Sequence, residues 1–135
     1  MTEHIPPPEV TELNAPHWTG LAEGRLRFQR CGACGNAWLP AREACPRCLA
    51  DGATWEDASG RAKLVSWVVY HQSFHPAFAG RLPYTVAVVE LDEGPRLYTN
   101  IVGVGDPEAL RIDQPLDVVF EVDDDITLAR FKPAV

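Results

Sequence analysis

The stretch Cys31-Gly-Ala-Cys34-Gly35, followed after ten intervening residues by Cys45-Pro-Arg-Cys48, uses every cysteine in the chain. Two thiolates separated by two residues can approach one ion from a single tight turn. Two such turns complete a tetrahedral all-sulfur site. Gly35, next to the second sulfur, tolerates the positive φ that lets backbone N–H groups point at sulfur. Pro46 stiffens the second turn. Soft tetrahedral sulfur suits zinc, with iron in a rubredoxin-like site as the alternative. No βαβ unit surrounds the cysteines, which speaks against a redox dithiol. Four cysteines also close the coordination sphere, whereas a hydrolytic zinc keeps a position open for water. No His-x-Glu precedes Cys45, so the zinc-deaminase arrangement is absent. The expected cofactor is therefore a structural zinc on Cys31, Cys34, Cys45 and Cys48, replacing a core that about 20 residues cannot build.

Around this module the chain has 135 residues, 46% of them hydrophobic, enough for one substantial core. The start, Met1-Thr-Glu-His-Ile-Pro-Pro-Pro, lacks a basic end followed by an apolar block, so no secretory signal is expected. Apolar runs such as 64–71 and 85–89 are strand-length, and no membrane span is expected. A cytoplasmic location follows as the default, and there metal-bound thiolates are commoner than disulfides.

The net charge of −7 weighs against nucleic-acid binding, which draws on a basic footprint. Its distribution is uneven. Residues 1–24 carry −4, residues 25–81 carry +4 and residues 82–135 carry −7. The basic middle is either a solvated mixed surface or a site for an anionic ligand or acidic partner.

Residues 1–15, with Pro6, Pro7 and Pro8, read as an extended arm. From Pro16 to Arg27 the spacing of Trp18, Leu21, Ala22 and Leu26 predicts a helix weakened by Gly20 and Gly24. The division is 1–28 arm and helix, 29–50 zinc ribbon and 60–133 barrel, with 51–60 as a turn-rich connector. Five strands are expected at Arg61–His71, Pro83–Leu91, Arg96–Val102, Pro115–Val122 and Ile126–Phe131. One helical turn at Asp106–Leu110 interrupts the longer connection between the third and fourth. That three-plus-two grouping makes the fold mainly β and suits a five-stranded OB-type barrel; a sandwich competes.

Nothing in the rest of the chain carries a catalytic pattern. No serine stands in a Gly-x-Ser-x-Gly elbow and no phosphate-cradling glycine loop is present. The acid pairs Glu56-Asp57 and Asp92-Glu93 read as solvated turn charges. His71 and His75 are poorly placed as catalysts. The loop 71–84 brings Phe74, Phe78, Leu82 and Tyr84 together among prolines and Gly80. It either folds back on the barrel or forms a contact surface for a partner or an acyl-type ligand.

In this order the pieces resemble a known family, the thiolase-associated proteins catalogued as domain of unknown function 35. The resemblance runs from about Trp18 to Pro133. It rests on the run Gly-Leu-Ala-Glu-Gly-Arg-Leu-Arg-Phe-Gln-Arg-Cys at 20–31, the two knuckles, the strand Pro83-Tyr84-Thr-Val-Ala-Val-Val-Glu-Leu, and the Gly94 hairpin with Phe131-Lys-Pro at the end. Two positions depart from it: Leu49, where the second knuckle often has glycine, and Asp113-Gln-Pro-Leu, where a glycine often precedes the fourth strand.

The resemblance implies an N-terminal helix, a rubredoxin-like zinc ribbon and an OB-fold. It implies a non-catalytic subunit that binds a lipid-transfer-protein-like thiolase or aldolase in lipid or steroid side-chain metabolism. It also implies that a coenzyme A thioester is bound or channelled, and that two copies sit within one hetero-oligomer. Arg25, Arg27, Arg30 and Arg81 would supply a positive field, and the loop with Phe74, Phe78 and Tyr84 a cover for the ligand. The alternatives are an obligate subunit completing an acyl-CoA aldolase or thiolase active site, and a nucleic-acid-binding module.

Overall fold

The computed structural model describes residues 9–71, 84–104, 106–123 and 126–134. Helix α1 spans Ala15–Ala22, with Pro16 in its first turn, where a missing N–H costs nothing. Ahead of it Thr11 and Asn14 bond each other's amides, at 2.7 and 3.3 Å. The helix stops five residues short of the expected Arg27. Gly24, at φ 76°, turns the chain out of it, and Leu26 enters the core from the segment beyond. The apolar period had run across that break.

A three-stranded antiparallel sheet follows, made of β1 (Arg27–Arg30), β2 (Ala37–Trp38) and β3 (Thr54–Asp57) in the order β2-β1-β3. Strand β3 corrects the reading of 51–60 as connector only. It pairs with β1 from Arg27↔Asp57 to Arg30↔Thr54, so the ribbon sheet draws on residues beyond the cysteines at both ends.

The second sheet contains β4 (Arg61–Tyr70), β5 (Tyr84–Leu91), β6 (Arg96–Thr99), β7 (Pro115–Asp123) and β8 (Ile126–Pro133). Its order is β6-β5-β4-β7-β8, all antiparallel. The sheet curls until the chain after β6 meets β8, where Ile101 forms a parallel bridge with Phe131. Phe131 donates its N–H to Asn100 at 3.2 Å and accepts from Val102 at 2.8 Å. This is the expected OB-type topology, and the short helical turn Pro107–Ala109 falls in the long connection.

The main core gathers Leu64, Ala87, Val89, Leu91, Ile101, Leu116 and Phe131 from the barrel, with Leu21 and Leu26 from the α1 region. Trp18 and Trp67 pack at its margin. The ribbon has a separate, much smaller core of Cys31, Trp38 and Cys45. A core of that size cannot offset the conformational entropy of its loops without further cross-linking. Among the described residues no helix is long and apolar enough to cross a membrane.

Candidate metal centre and adjoining cleft

The two cysteine turns are built alike. In the first, the Gly35 amide donates to the Cys31 carbonyl at 3.1 Å and the Cys31 amide to Asn36 at 2.8 Å. In the second, Leu49 donates to Cys45 at 2.8 Å and Cys45 to Ala50 at 2.9 Å. Each turn aims amides at its first sulfur. Ala33 and Cys34 reach Cys31 Sγ at 3.3 and 3.4 Å, while Arg47 and Cys48 reach Cys45 Sγ at 3.4 and 3.5 Å. Asn36 Nδ2 adds a donor to Cys45 Sγ at 3.7 Å.

All four sulfurs lie within 4.8 Å of one another. Cys31 and Cys48 are 3.5 Å apart, and Cys34 and Cys45 3.6 Å, far beyond a disulfide bond of about 2.05 Å. An ion with four sulfurs at about 2.3 Å needs edges of about 3.8 Å, so the cage fits a tetrahedral metal. Cys31 and Cys45 are buried while Cys34 and Cys48 face solvent.

The electrostatics favour thiolates unevenly. The amides of Cys34 and Ala33 lower the Cys31 pKa. At Cys45 burial opposes ionisation, but the amides of Cys48 and Arg47 and the adjoining sulfurs outweigh it, bringing the thiol to about 6. At Cys48 the Ala50 amide favours the thiolate, yet the sulfurs of Cys31, Cys34 and Cys45 and burial push it up to about 12. A crowd of sulfurs holding protons unequally is what a cation would level.

Of the four arginines expected to present positive charge, the three among the described residues are paired. Arg25 and Arg27 reach Asp57 at 3.4 and 3.2 Å, and Arg27 also reaches Glu23 at 3.5 Å. Arg30 bonds Glu56 at 2.8 Å and the Gly35 carbonyl at 2.9 Å, with its guanidinium 5.3 Å from the Phe28 ring. Glu56 and Asp57 are thus ribbon residues that tie β3 to β1, where the sequence reading had them as solvated turn charges. Tyr84 stacks on Tyr70 at 5.2 Å. Phe74, Phe78, His75 and Arg81 lie outside the described residues.

Sequence reasoning missed Gln29. Buried in β1, it accepts from Trp38 Nε1 at 2.9 Å and from the Arg42 amide at 2.7 Å, binding the second ribbon loop to the first. It also missed a cleft of about 400 Å³ where α1 faces Leu39–Ala41 and the strand β6. His17 and Trp18 line it, edge to face at 5.0 Å, with Tyr98 at its rim. His17 Nδ1 and Trp18 Nε1 are buried without a hydrogen-bond partner among the described residues.

Comparison with known proteins finds two family models. Residues 18–54 match the family model described as ChsH2, rubredoxin-like zinc ribbon domain, and residues 55–121 that described as ChsH2, C-terminal OB-fold domain. A DUF35 domain-containing scaffold protein of Methanothermobacter thermautotrophicus is 36% identical over 96 residues, covering 70% of this chain and 71% of that protein. A probable enoyl-CoA hydratase alpha subunit of Thermomonospora curvata is 38% identical over 131 residues, 96% of this chain. The chain spans 40% of that relative's length. Among solved structures, a chain of the Ltp2-ChsH2(DUF35) aldolase superposes with a TM-score of 0.84 at 38% identity. That match covers 96% of this chain and 100% of the other.

Proposed function

This chain belongs to the DUF35 family of zinc-ribbon and OB-fold proteins, and from that premise we propose that it is a non-catalytic accessory subunit. It binds a thiolase-superfamily enzyme of the lipid-transfer-protein-like thiolase or aldolase kind. With that enzyme it helps bind or channel acyl-CoA thioesters in lipid or steroid side-chain metabolism. The observation that carries this reading is the correspondence over the whole length of a chain from an aldolase named for both Ltp2 and DUF35.

The site supports the same division of labour. Cys31, Cys34, Cys45 and Cys48 would hold zinc, which supplies a rigid cross-link and no reaction centre, because four thiolates leave no coordination position for substrate. Contacts to a partner or thioester through Arg25, Arg27 and Arg30 would require those side chains to exchange the carboxylates they now face. Tyr84 would contribute from the start of β5, together with Phe74, Phe78 and Arg81.

The test is co-expression with a thiolase-like subunit encoded in the same genome, followed by assays on acyl-CoA substrates. The expected result is copurification, no turnover by this chain alone, and loss of the partner's activity or stability on its removal. Turnover by the isolated chain would overturn the reading.

A further inference from the structure

The barrel's outer surface carries an apolar face that the core does not use. Cross-strand pairs place side chains on one side of a sheet, so the register of β4, β5 and β6 defines it row by row. Tyr70 faces Tyr84, Val68 faces Val86, and Ser66, Val88 and Tyr98 share the third row. A row of charges ends it, with Glu90 bonded to Lys63 at 3.2 Å and to Arg96 at 3.0 Å. The opposite side of β5 holds Thr85, Ala87, Val89 and Leu91, all buried. A half-solvated antiparallel strand normally alternates apolar with polar, whereas a strand covered on both sides reads as continuously apolar. Strand β5 reads Tyr-Thr-Val-Ala-Val-Val-Glu-Leu, the composition of a strand covered on both sides. Yet Val68 is 55% exposed and Tyr98 81%.

We propose that this face of β4, β5 and β6 is the surface on which the thiolase-like subunit sits; the proposal rests on the accessory-subunit reading above. Three observations choose that occupant over a second copy. The face measures roughly 15 Å by 20 Å from strand spacing and rise. That is well under the roughly 800 Å² a side of a free-standing interface. It therefore serves as the apolar centre of a contact with a larger body. Two copies of a chain carrying −7 repel each other, and the Lys63–Glu90–Arg96 row is occupied internally, offering no compensating pairs. At Tyr98 the face runs over its edge into the cleft beside His17 and Trp18. An apolar surface with a tyrosine at the lip of a pocket is how a contact centre takes an anchoring side chain from its partner.

The experiment uses the full chain co-expressed with the thiolase-like subunit. Ser66→Arg and Val68→Glu are the test variants, since both side chains are exposed in the free chain. Val122→Arg on β7, 73% exposed, is the control. Circular dichroism and bound-metal content confirm that each variant is folded. A photo-crosslinker on Ser66→Cys gives an independent readout that removes no contact. The expected result is at least a tenfold loss of affinity for both test variants, less than twofold for the control, and capture of the thiolase-like chain by the label. Undiminished affinity in both test variants would overturn the proposal. So would a wild-type chain that dimerises alone and becomes monomeric in the variants, which assigns the face to a second copy. If the wild type forms no complex at all, the accessory-subunit reading fails and this proposal with it.

Discussion

Leu49 and Gly35 occupy the same corner of the two cysteine turns, with φ of 66° and 77°. Each donates its amide back to the first cysteine carbonyl of its turn. A side chain in this left-handed region costs about 1–2 kcal/mol, which glycine avoids. Leu49 recovers nothing by burial, since it is 77% exposed. The same strain recurs at Asp113, φ 62°, where the chain enters the fourth barrel strand.

Leu49→Gly should therefore stabilise the metal-loaded chain. Glycine's larger unfolded-state entropy returns some of the gain, leaving about 0.5–1 kcal/mol. A urea titration checks this by a rise in the unfolding midpoint at constant slope. A lower midpoint would show that the leucine makes a favourable contact. Asp113→Gly should gain less, because Asp is among the residues that adopt this region more readily.

Those two positions show what the sequence could and could not tell. Leu49 and Asp113 were visible as departures from a glycine-bearing pattern, and both prove to be positive-φ residues. The cysteine spacing was legible because metal geometry tolerates few alternatives, and the barrel strands because runs rich in Val, Trp and Tyr are bounded by turn residues such as Gly94 and Pro95. Strand β3 was not. Thr54-Trp55-Glu56-Asp57 is four residues long and half acidic, and it pairs along β1 with Arg27–Asp57 and Arg30–Glu56 ion pairs across the seam, long-range partners that no local pattern shows. The apolar period overextends the helix because Leu21, Leu26 and Phe28 all reach the interior, but from the helix, from the segment after it and from β1. Gln29 gave no local signal, since its partners lie 9 and 13 residues away.

Gln29→Leu should be costly although it is close to isosteric. It leaves Trp38 Nε1 and the Arg42 amide without their acceptor inside the ribbon. The buried Trp38 donor costs about 1–3 kcal/mol when unsatisfied, while the amide of exposed Arg42 can turn to water, so a loss of about 1–3 kcal/mol is expected. Thermal unfolding measures it. Gln29→Glu, which keeps the acceptor, should recover part of the loss.

Metal removal should separate the two cores. The ribbon core is Cys31, Trp38 and Cys45 with Ala50 and Ala53 at its margin, whereas the barrel core makes no use of the cysteines. A chelator should therefore release amide protection across 27–57 while β4, β5, β7 and β8 stay protected, as read by hydrogen exchange. Cys45→Ser should give the same pattern without chelator. Unchanged protection in the ribbon of metal-free protein would show that its hydrogen bonds suffice to hold it.

His17 gives the chain an acid sensitivity whose sign can be worked out. Burial lowers its pKa below the ordinary 6.5, more than the Arg27 backbone carbonyl raises it. The unfolded chain therefore takes up the proton at higher pH than the folded one. The stabilising contribution is complete above 6.5 and is lost as pH falls through the lowered folded value, below which this group adds no further loss. His17→Phe removes the titration and the unpartnered Nδ1 while keeping a ring against Trp18. Urea midpoints should therefore decline from pH 7 to pH 5 in the wild type and decline less steeply in the variant. Parallel curves would place the acid-sensitive group elsewhere in the chain.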